Sequence, residues 1–358
     1  MAITDPFTGG SRYVPGSGPQ KAASGQGYDP FTGAARYVPG SQTAPGLSSV
    51  SVTFQSGQGA DPFTGRSSYQ PSLGGDRVKT IEPLGTEKNS FFPTVDYQTF
   101  NSPKEYWDKV MGKIKEFSAT MIEEKKLQEW QMIQLRDVCV RLSADPMALF
   151  SGDDMHLIHI LLGWPNDQLL PGLDILRVAI LNSSASSYFF SSPDSGEGLF
   201  KQLLEYAFGT TTDSKNQLLV LRCIANMFAQ PQCLSLVDLK RPMVLPEIVR
   251  LLPASTKLSQ IAVATIIQNY CHYCYCKNYV DGISDCVQAC IKILQTNTDT
   301  EAKFRAAVGI GTLISTDRSL VKRSARPLDI LSILEPLCNV VESPKLSQCA
   351  ELIIQALK

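Results

Sequence analysis

From "SPKEYWDKVMGKIKEF" to the end of the chain, apolar side chains recur at steps of three and four in one block after another. "KKLQEWQMIQLRDVCVRL", "NQLLVLRCIANMF", "QIAVATIIQNYCHYCY", "DCVQACIKILQ" and "EAKFRAAVGIGTLI" all carry this spacing. It places the apolar set on one side of an α-helix, and strand-like alternation bounded by hairpin turns is absent. The breaks between blocks carry helix-ending punctuation: "WPNDQLLPG", "SSPDSGEG", "KRPMVLPE", "TNTDT" and "VESPK". Asp or Ser stands at many of the expected N-caps. The spacing therefore predicts an all-α domain over residues 88–358.

All-α domains of this length are usually bundles or repeats, and here a period can be read. Arg177 in "LDILRVAIL" and Arg222 in "LLVLRCIANMF" lie 45 residues apart, and Asn226 and Asn269 lie 43 apart. Arg222 to Arg305 is 83, about two steps. That fits the ~40–47 residue period of armadillo and HEAT units. Thr265 holds the register that arginines hold in the neighbouring units. In such solenoids one helix per unit lines a continuous concave face that binds extended peptides. Asp174 precedes Arg177 by three residues and Glu301 precedes Arg305 by four, so both arginines can form simple surface pairs. Arg222 has Leu218, Leu219, Ala225 and Asn226 as its helical neighbours. Because an unpaired buried guanidinium is expensive, it must reach solvent, a distant carboxylate or a ligand carboxylate.

The first 87 residues differ. They hold 15 of the 25 Gly and 9 of the 22 Pro, with little Leu or Ile, too little apolar surface to offset the entropy of ordering them. The expectation is a disordered linker whose ends average about 50 Å apart. Within it "DPFTGGSRYVPG" returns as "DPFTGAARYVPG" and, eroded, as "DPFTGRSSYQP", starting at Asp5, Asp29 and Asp61. The starts are 24 and 32 residues apart, too uneven for a stacked repeat. Asp-Pro and Thr-Gly favour turns, and Phe7, Phe31 and Phe63 stand as aromatic anchors. Two readings stay open: a multivalent peptide ligand working through avidity, or a duplicated linker kept compact by its turns. Asp-Pro-Phe tripeptides are also similar to motifs that endocytic adaptor appendages bind, which makes a trafficking scaffold the alternative function.

Repeated "DPFTG…RYVPG" phrases leading into "EEKKL", "LDILR", "NQLLVLR" and "FRAAVGIGTLIS" resemble the PLAA family of phospholipase A-2-activating proteins and its fungal counterparts, whose C-terminal module is the PUL domain. The likeness covers nearly the whole chain. It implies an armadillo-like PUL domain with a basic concave groove for the acidic C-terminal tail of the hexameric AAA ATPase valosin-containing protein. Arg177 and Arg305 match positions where the family places groove arginines. Arg222 lies between them in register, and Asn226 and Asn269 are expected to clamp peptide backbone. Guanidinium forks suit carboxylates because they bond them bidentately. The implied function is that of a monomeric, non-enzymatic adaptor, cytoplasmic and nuclear, in the ubiquitin–proteasome pathway. Family members also carry a WD-repeat propeller and a ubiquitin-binding PFU domain, neither of which is found here. The chain is thus expected to be a C-terminal fragment or short form, without the direct ubiquitin binding that rests on those domains.

Other chemistry finds less support. The 33 basic and 34 acidic side chains balance, unlike those of a nucleic-acid binder. No apolar run approaches the ~18 residues of a membrane span. "MAITDPFTGG" has neither a basic start nor an apolar core, so no secretory leader is expected and the ten Cys read as thiols in a reducing compartment. "CHYCYC" sets Cys271 and Cys274 at C-x-x-C spacing, with His272 and Cys276 four apart, and Cys286 and Cys290 follow on another helix. Without a comparable second ligand pair these read as buried helix thiols, and no metal is expected. His156 and His159 lack a zincin signature and read as cap or surface residues. No P-loop, G-x-S-x-G or paired-carboxylate setting appears, so neither catalysis nor a cofactor is expected. A lipase-regulating role finds no basic amphipathic helix for a lipid surface.

Overall fold

The computed structural model describes residues 91–101, 106–210, 212–296 and 298–358. The linker expected over residues 1–87, with Asp5, Phe7, Asp29, Phe31, Asp61 and Phe63, lies outside them. The described residues form helices and no strand, an all-α, armadillo-like architecture. An extended strap, residues 91–101, leads to α1 (Trp107–Thr120), α2 (Glu129–Ala144), α3 (Gly152–Leu162) and α4 (Leu170–Ala179). Next come α5 (Ser183–Phe190), α6 (Pro193–Phe208), α7 (Ser214–Met227), α8 (Pro231–Leu251) and α9 (Lys257–Lys277). The chain ends with α10 (Ile283–Gln295), α11 (Thr300–Ala325), α12 (Ile330–Leu334) and α13 (Pro344–Leu357).

Local chemistry sets these boundaries. The side chains of Asn182, Asp213, Thr256 and Asp299 accept first-turn N–H groups of α5, α7, α9 and α11. Ser151 and Asp154 form a reciprocal capping box at α3. Pro231 and Pro344 open α8 and α13, where a missing N–H costs nothing. The break expected at "KRPMVLPE" does not occur, since α8 runs through Pro242 and Pro246. The two prolines stand four apart, both on the exposed side, while Val237, Val244, Leu245 and Ile248 stay buried. Burial of that opposite side outweighs the lost ladder bonds. Residue Asp317 interrupts α11 with extended dihedrals, and its carboxylate caps the second half by accepting the Leu320 N–H at 2.9 Å.

α4, α7, α9 and α11 stack in that order as an inner row, each against the next. α3, α6, α8 and α10 pack behind them. The inner helices are buried almost all round, α4 from Pro171 to Ala179 and α9 from Ile261 to Cys271, as a helix covered on both sides requires. The strap crosses the remaining face of this row. Phe91 meets Phe304 edge-on at 5.5 Å, and Phe92 is buried against Gly311. A β-carbon at 311 would fall inside the Phe92 ring, so glycine is required there for close approach. Gly311→Ala is expected to expel Phe92 and cost about 1–3 kcal/mol. Urea unfolding should show the loss, and limited proteolysis should cut the strap first; an unchanged midpoint with a protected strap would refute this contact.

Candidate functional site

The face of the inner row carries the asparagines that the period singles out, and both grip an extended backbone. Asn269 of α9 accepts the Gln98 N–H at 2.8 Å and donates to the Gln98 carbonyl at 2.8 Å. Asn226 of α7 accepts the Phe100 N–H at 2.7 Å and donates to the Phe100 carbonyl at 2.8 Å. Each carboxamide also donates backwards along the row, Asn226 to the Arg177 carbonyl at 2.7 Å and Asn269 to the Ala225 carbonyl at 3.1 Å. Gln98 and Phe100 are two residues apart, so an extended strand turns the same edge to both asparagines. The clamped peptide is the chain's own strap. Further along, Thr94 donates its N–H to Thr312 Oγ1 at 3.3 Å, and its hydroxyl meets His272 Nδ1 at 3.0 Å. Tyr97 lies edge-on against His272 at 4.7 Å.

The arginine pairs form, but they are buried rather than at the surface. Arg177 is 3% exposed and bonds Asp174 through Nε at 2.9 Å and a terminal nitrogen at 2.6 Å. Its other terminal nitrogen donates to the Phe100 carbonyl at 2.7 Å. These partners satisfy the charge that burial would otherwise penalise. Arg222 is partly exposed, its guanidinium 5.1 Å from the Phe100 ring centre. Burial, reinforced by the charge of Arg177, pulls its pKa down to about 10, while Asp174 and Tyr106 act in the opposite sense. Burial beside Asp174 pushes the Tyr106 hydroxyl well above the usual phenol range. At the other end of the row Arg305 bonds Glu301 at 3.0 Å and Thr265 Oγ1 at 2.8 Å. Thr265 stands in the arginine register because the arginine of the next inner helix reaches back to it. Lys345 also pairs with Glu301, at 2.5 Å. Each end of the row thus sets one carboxylate among two cations, Asp174 with Arg177 and Arg222, and Glu301 with Arg305 and Lys345.

Sequence reasoning missed the strap, Tyr106 and the role of His272. The available signal was "FFPTVDYQTF", an aromatic-rich run with a proline and no helical period next to the first helix. Cys271, Cys274, Cys286 and Cys290 are buried free thiols, whereas Cys276 is exposed. Among the described residues no three His, Cys, Asp or Glu side chains are placed to hold a metal ion. His156 and His159 are exposed and stack at 6.4 Å. No helix among the described residues is long and apolar enough to cross a membrane.

The family model of the PUL domain matches residues 92–352. Phospholipase A-2-activating protein of Xenopus laevis is 30% identical over 272 residues, covering 75% of this chain and 33% of that protein. The ubiquitin fusion degradation protein 3 homolog of Caenorhabditis elegans is 32% identical over 110 residues, 30% of this chain and 13% of that protein. The chain therefore spans about a third of the length of the longer-matched relative.

Two outcomes test this geometry. Asp174→Asn leaves Arg177 buried without its carboxylate and should cost about 3–5 kcal/mol, whereas Asn269→Ala should cost about 1–3 kcal/mol and expose the Gln98 amide to hydrogen exchange. Equal, small losses in urea unfolding would refute the assignment. The second concerns pH: burial lowers the His272 pKa below its ordinary 6.5, against the pull of Asp96 and a bond from Thr94. Neutral His272 therefore contributes stability that is present above pH 6.5 and lost as pH falls below it. Between about pH 7.5 and 5.5 the wild-type urea midpoint should fall more than that of His272→Gln; parallel curves would contradict it.

Proposed function

The chain belongs to the PUL-domain family, and from that premise we propose that it is a non-enzymatic adaptor of the ubiquitin pathway whose groove receives an acidic peptide tail, that of the AAA ATPase valosin-containing protein. The ubiquitin setting comes from the name of the ubiquitin fusion degradation protein 3 homolog, with which the chain shares a matched stretch. Asn226 and Asn269 are engaged by the chain's own strap. The observation that carries the peptide-binding reading is the edge beside it, where the partly exposed Arg222 guanidinium lies 5.1 Å from the Phe100 ring centre.

What supports an acidic ligand is charge. Cationic side chains gather at the two ends of the row, Arg177 and Arg222 around Asp174 and Arg305 and Lys345 around Glu301. At the Asp174–Arg177–Arg222 end the partly exposed Arg222 guanidinium lies over the buried Phe100 ring, with the partly exposed Tyr106 nearby. A tail carrying an aromatic residue and carboxylates matches that chemistry, because Arg bonds carboxylates bidentately and stacks on rings. The role that follows is recruitment: the groove holds the unfoldase by its tail, while other parts of a longer protein, or its partners, supply the ubiquitylated cargo.

Calorimetric titration of the full chain with a synthetic acidic tail peptide of the ATPase tests this. Binding is expected, weakened about tenfold or more by Arg222→Ala, with the melting temperature of the variant close to that of wild type. It should also weaken steeply with salt, since the contact is between charges. No uptake of the peptide by the wild-type chain overturns the reading.

A further inference from the structure

The outer row carries a surface that the inner face does not use. α8 turns Val237, Val244, Leu245 and Ile248 into the core, and its opposite side leaves Leu239, Pro242, Met243 and Pro246 exposed as an apolar ridge. A groove runs along each flank of that ridge. On one flank α6 and α8 enclose about 560 Å³ walled by Leu204, Phe208 and Met243. On the other, α8 and α10, with Leu328 beyond α11, enclose about 520 Å³ against Leu245 and Ala289, with Asp285, Gln288 and Lys292 exposed at the rim. Both volumes fall within the ~300–1,000 Å³ of ligand pockets, and the grooves stand one helix diameter apart, ~10–12 Å. A ridge between two apolar grooves is a contiguous patch, unlike the scattered apolar side chains of an ordinary surface.

The ridge also offers acceptors. Pro242 and Pro246 have no N–H to give, so the carbonyls of Asp238 and Pro242 lose their helical donors beneath the exposed side. Such carbonyls bond water or the N–H groups of a chain laid across the helix.

The chain itself holds three copies of a phrase that matches this surface. From the first copy to the eroded third, Asp, Pro, Phe, Thr and Gly keep their places, and so does a tyrosine six positions after the phenylalanine: Phe7 with Tyr13, Phe31 with Tyr37, Phe63 with Tyr69. The residues between Gly and Tyr change, from Gly-Ser-Arg to Ala-Ala-Arg to Arg-Ser-Ser. A spacer needs no fixed pair of aromatic rings, whereas a ligand with two anchors does. Six residues reach at most ~20 Å, and the turn that Thr-Gly favours between the rings shortens the span toward one helix diameter. Each copy carries one Asp and one Arg, and each groove has both signs at its rim, Lys201 and Glu205 on one flank, Lys292 and Asp285 on the other.

Reach is sufficient. Phe91, where the strap begins, packs on Phe304 near the start of α11, and α10 lies between α11 and α8. The ridge is thus about two interhelical spacings, ~20 Å, away, while the 22 residues from Tyr69 to Phe91 extend to ~70 Å. Covalent attachment holds the copies at a local concentration on the order of millimolar, which populates a contact that is weak by itself.

We propose that the exposed ridge of α8 is a docking site for this chain's own Asp-Pro-Phe-Thr-Gly phrases, one copy at a time, with the phenylalanine in the α6–α8 groove and the tyrosine in the α8–α10 groove. Phenylalanine has no polar atom and suits the walls formed by Leu204, Phe208 and Met243. Tyrosine lays its ring beside Leu245 and brings its hydroxyl to the polar rim at Asp285 and Gln288. The N–H groups of the turn cross the ridge above the two carbonyls that the prolines free. Docking folds the N-terminal segment over the outer row and leaves the inner face to its own ligand.

The test places the photo-reactive residue p-benzoylphenylalanine at Leu239 of the full chain and maps the cross-links by mass spectrometry after irradiation and digestion. Links to residues 5–13, 29–37 and 61–69 are expected. The combined changes Phe7→Ser, Phe31→Ser and Phe63→Ser should lower them about tenfold or more, with the helical circular dichroism unchanged because all three lie outside the helical domain. Met243→Asp, on the exposed ridge, should act in the same way. The same photo-reactive residue at Val341, exposed in the turn before α13, should give no such links. No links to these segments, equal yield from the triple variant or from position 341, or links only between light and heavy chains of an isotope-mixed sample would each overturn the proposal.

Discussion

A buried asparagine side chain has two donors and an acceptor to satisfy, and Asn226 and Asn269 solve that problem in the same way. Each gives one donor to a carbonyl of the preceding inner helix and spends the other donor and its acceptor on a single residue of the strap. Water does not serve this purpose, because both residues are buried. An extended chain across the face completes the hydrogen bonding of both carboxamides. The strap is therefore part of the fold. It turns a row of helices into a closed inner layer, and the rest of the site is arranged around it.

The pattern also explains where the clamp stops. Arg305 reaches back to Thr265, a separation of 40 residues, and the same step from Asn269 arrives at Gly309. Gly309 has no side chain to offer, and the sulfurs of Cys271 and Cys290 occupy the space beside it. On α11 the strap is therefore held by shape and by one hydroxyl: Phe92 fits over Gly311, and Thr312 takes the Thr94 N–H. The tight α9–α10–α11 packing and the end of the asparagine ladder are the same event seen from two sides.

Much of this was legible in the residues. Helical period, the 43 to 45 residue step and the in-register Arg177, Arg222, Asn226, Asn269 and Arg305 all follow from spacing. The all-α repeat fold needs nothing more. The occupant of the asparagines was not legible, because a strap of ten or so residues has no period of its own, and its hydrogen bonds to the inner row reach 77 to 218 positions away in sequence. Burial of the Asp174–Arg177 and Glu301–Arg305 pairs was missed for a related reason. The i,i+3 and i,i+4 spacings identify partners but say nothing about what covers them, and here the strap and the neighbouring helices do. Pro242 and Pro246 misled in the opposite sense: a local rule that predicts a break lost to the packing of the buried side of α8.

Occupancy by the strap changes what the proposed peptide-binding surface can recognise. In an empty ladder, asparagines bind any extended backbone, and side-chain pockets add specificity. In this chain the backbone-reading groups are already taken, so a second peptide beside the strap is left with the edge residues. With Phe100 and Arg305 buried, these are Arg222 and Tyr106 at one end, and Lys345 and Phe304 beside Glu301 at the other. Recognition would then rest on charge and aromatic contact rather than on main-chain hydrogen bonds. Such contacts favour a short ligand ending in carboxylates over a long extended one, weaken with salt, and let the ligand leave without disturbing the strap.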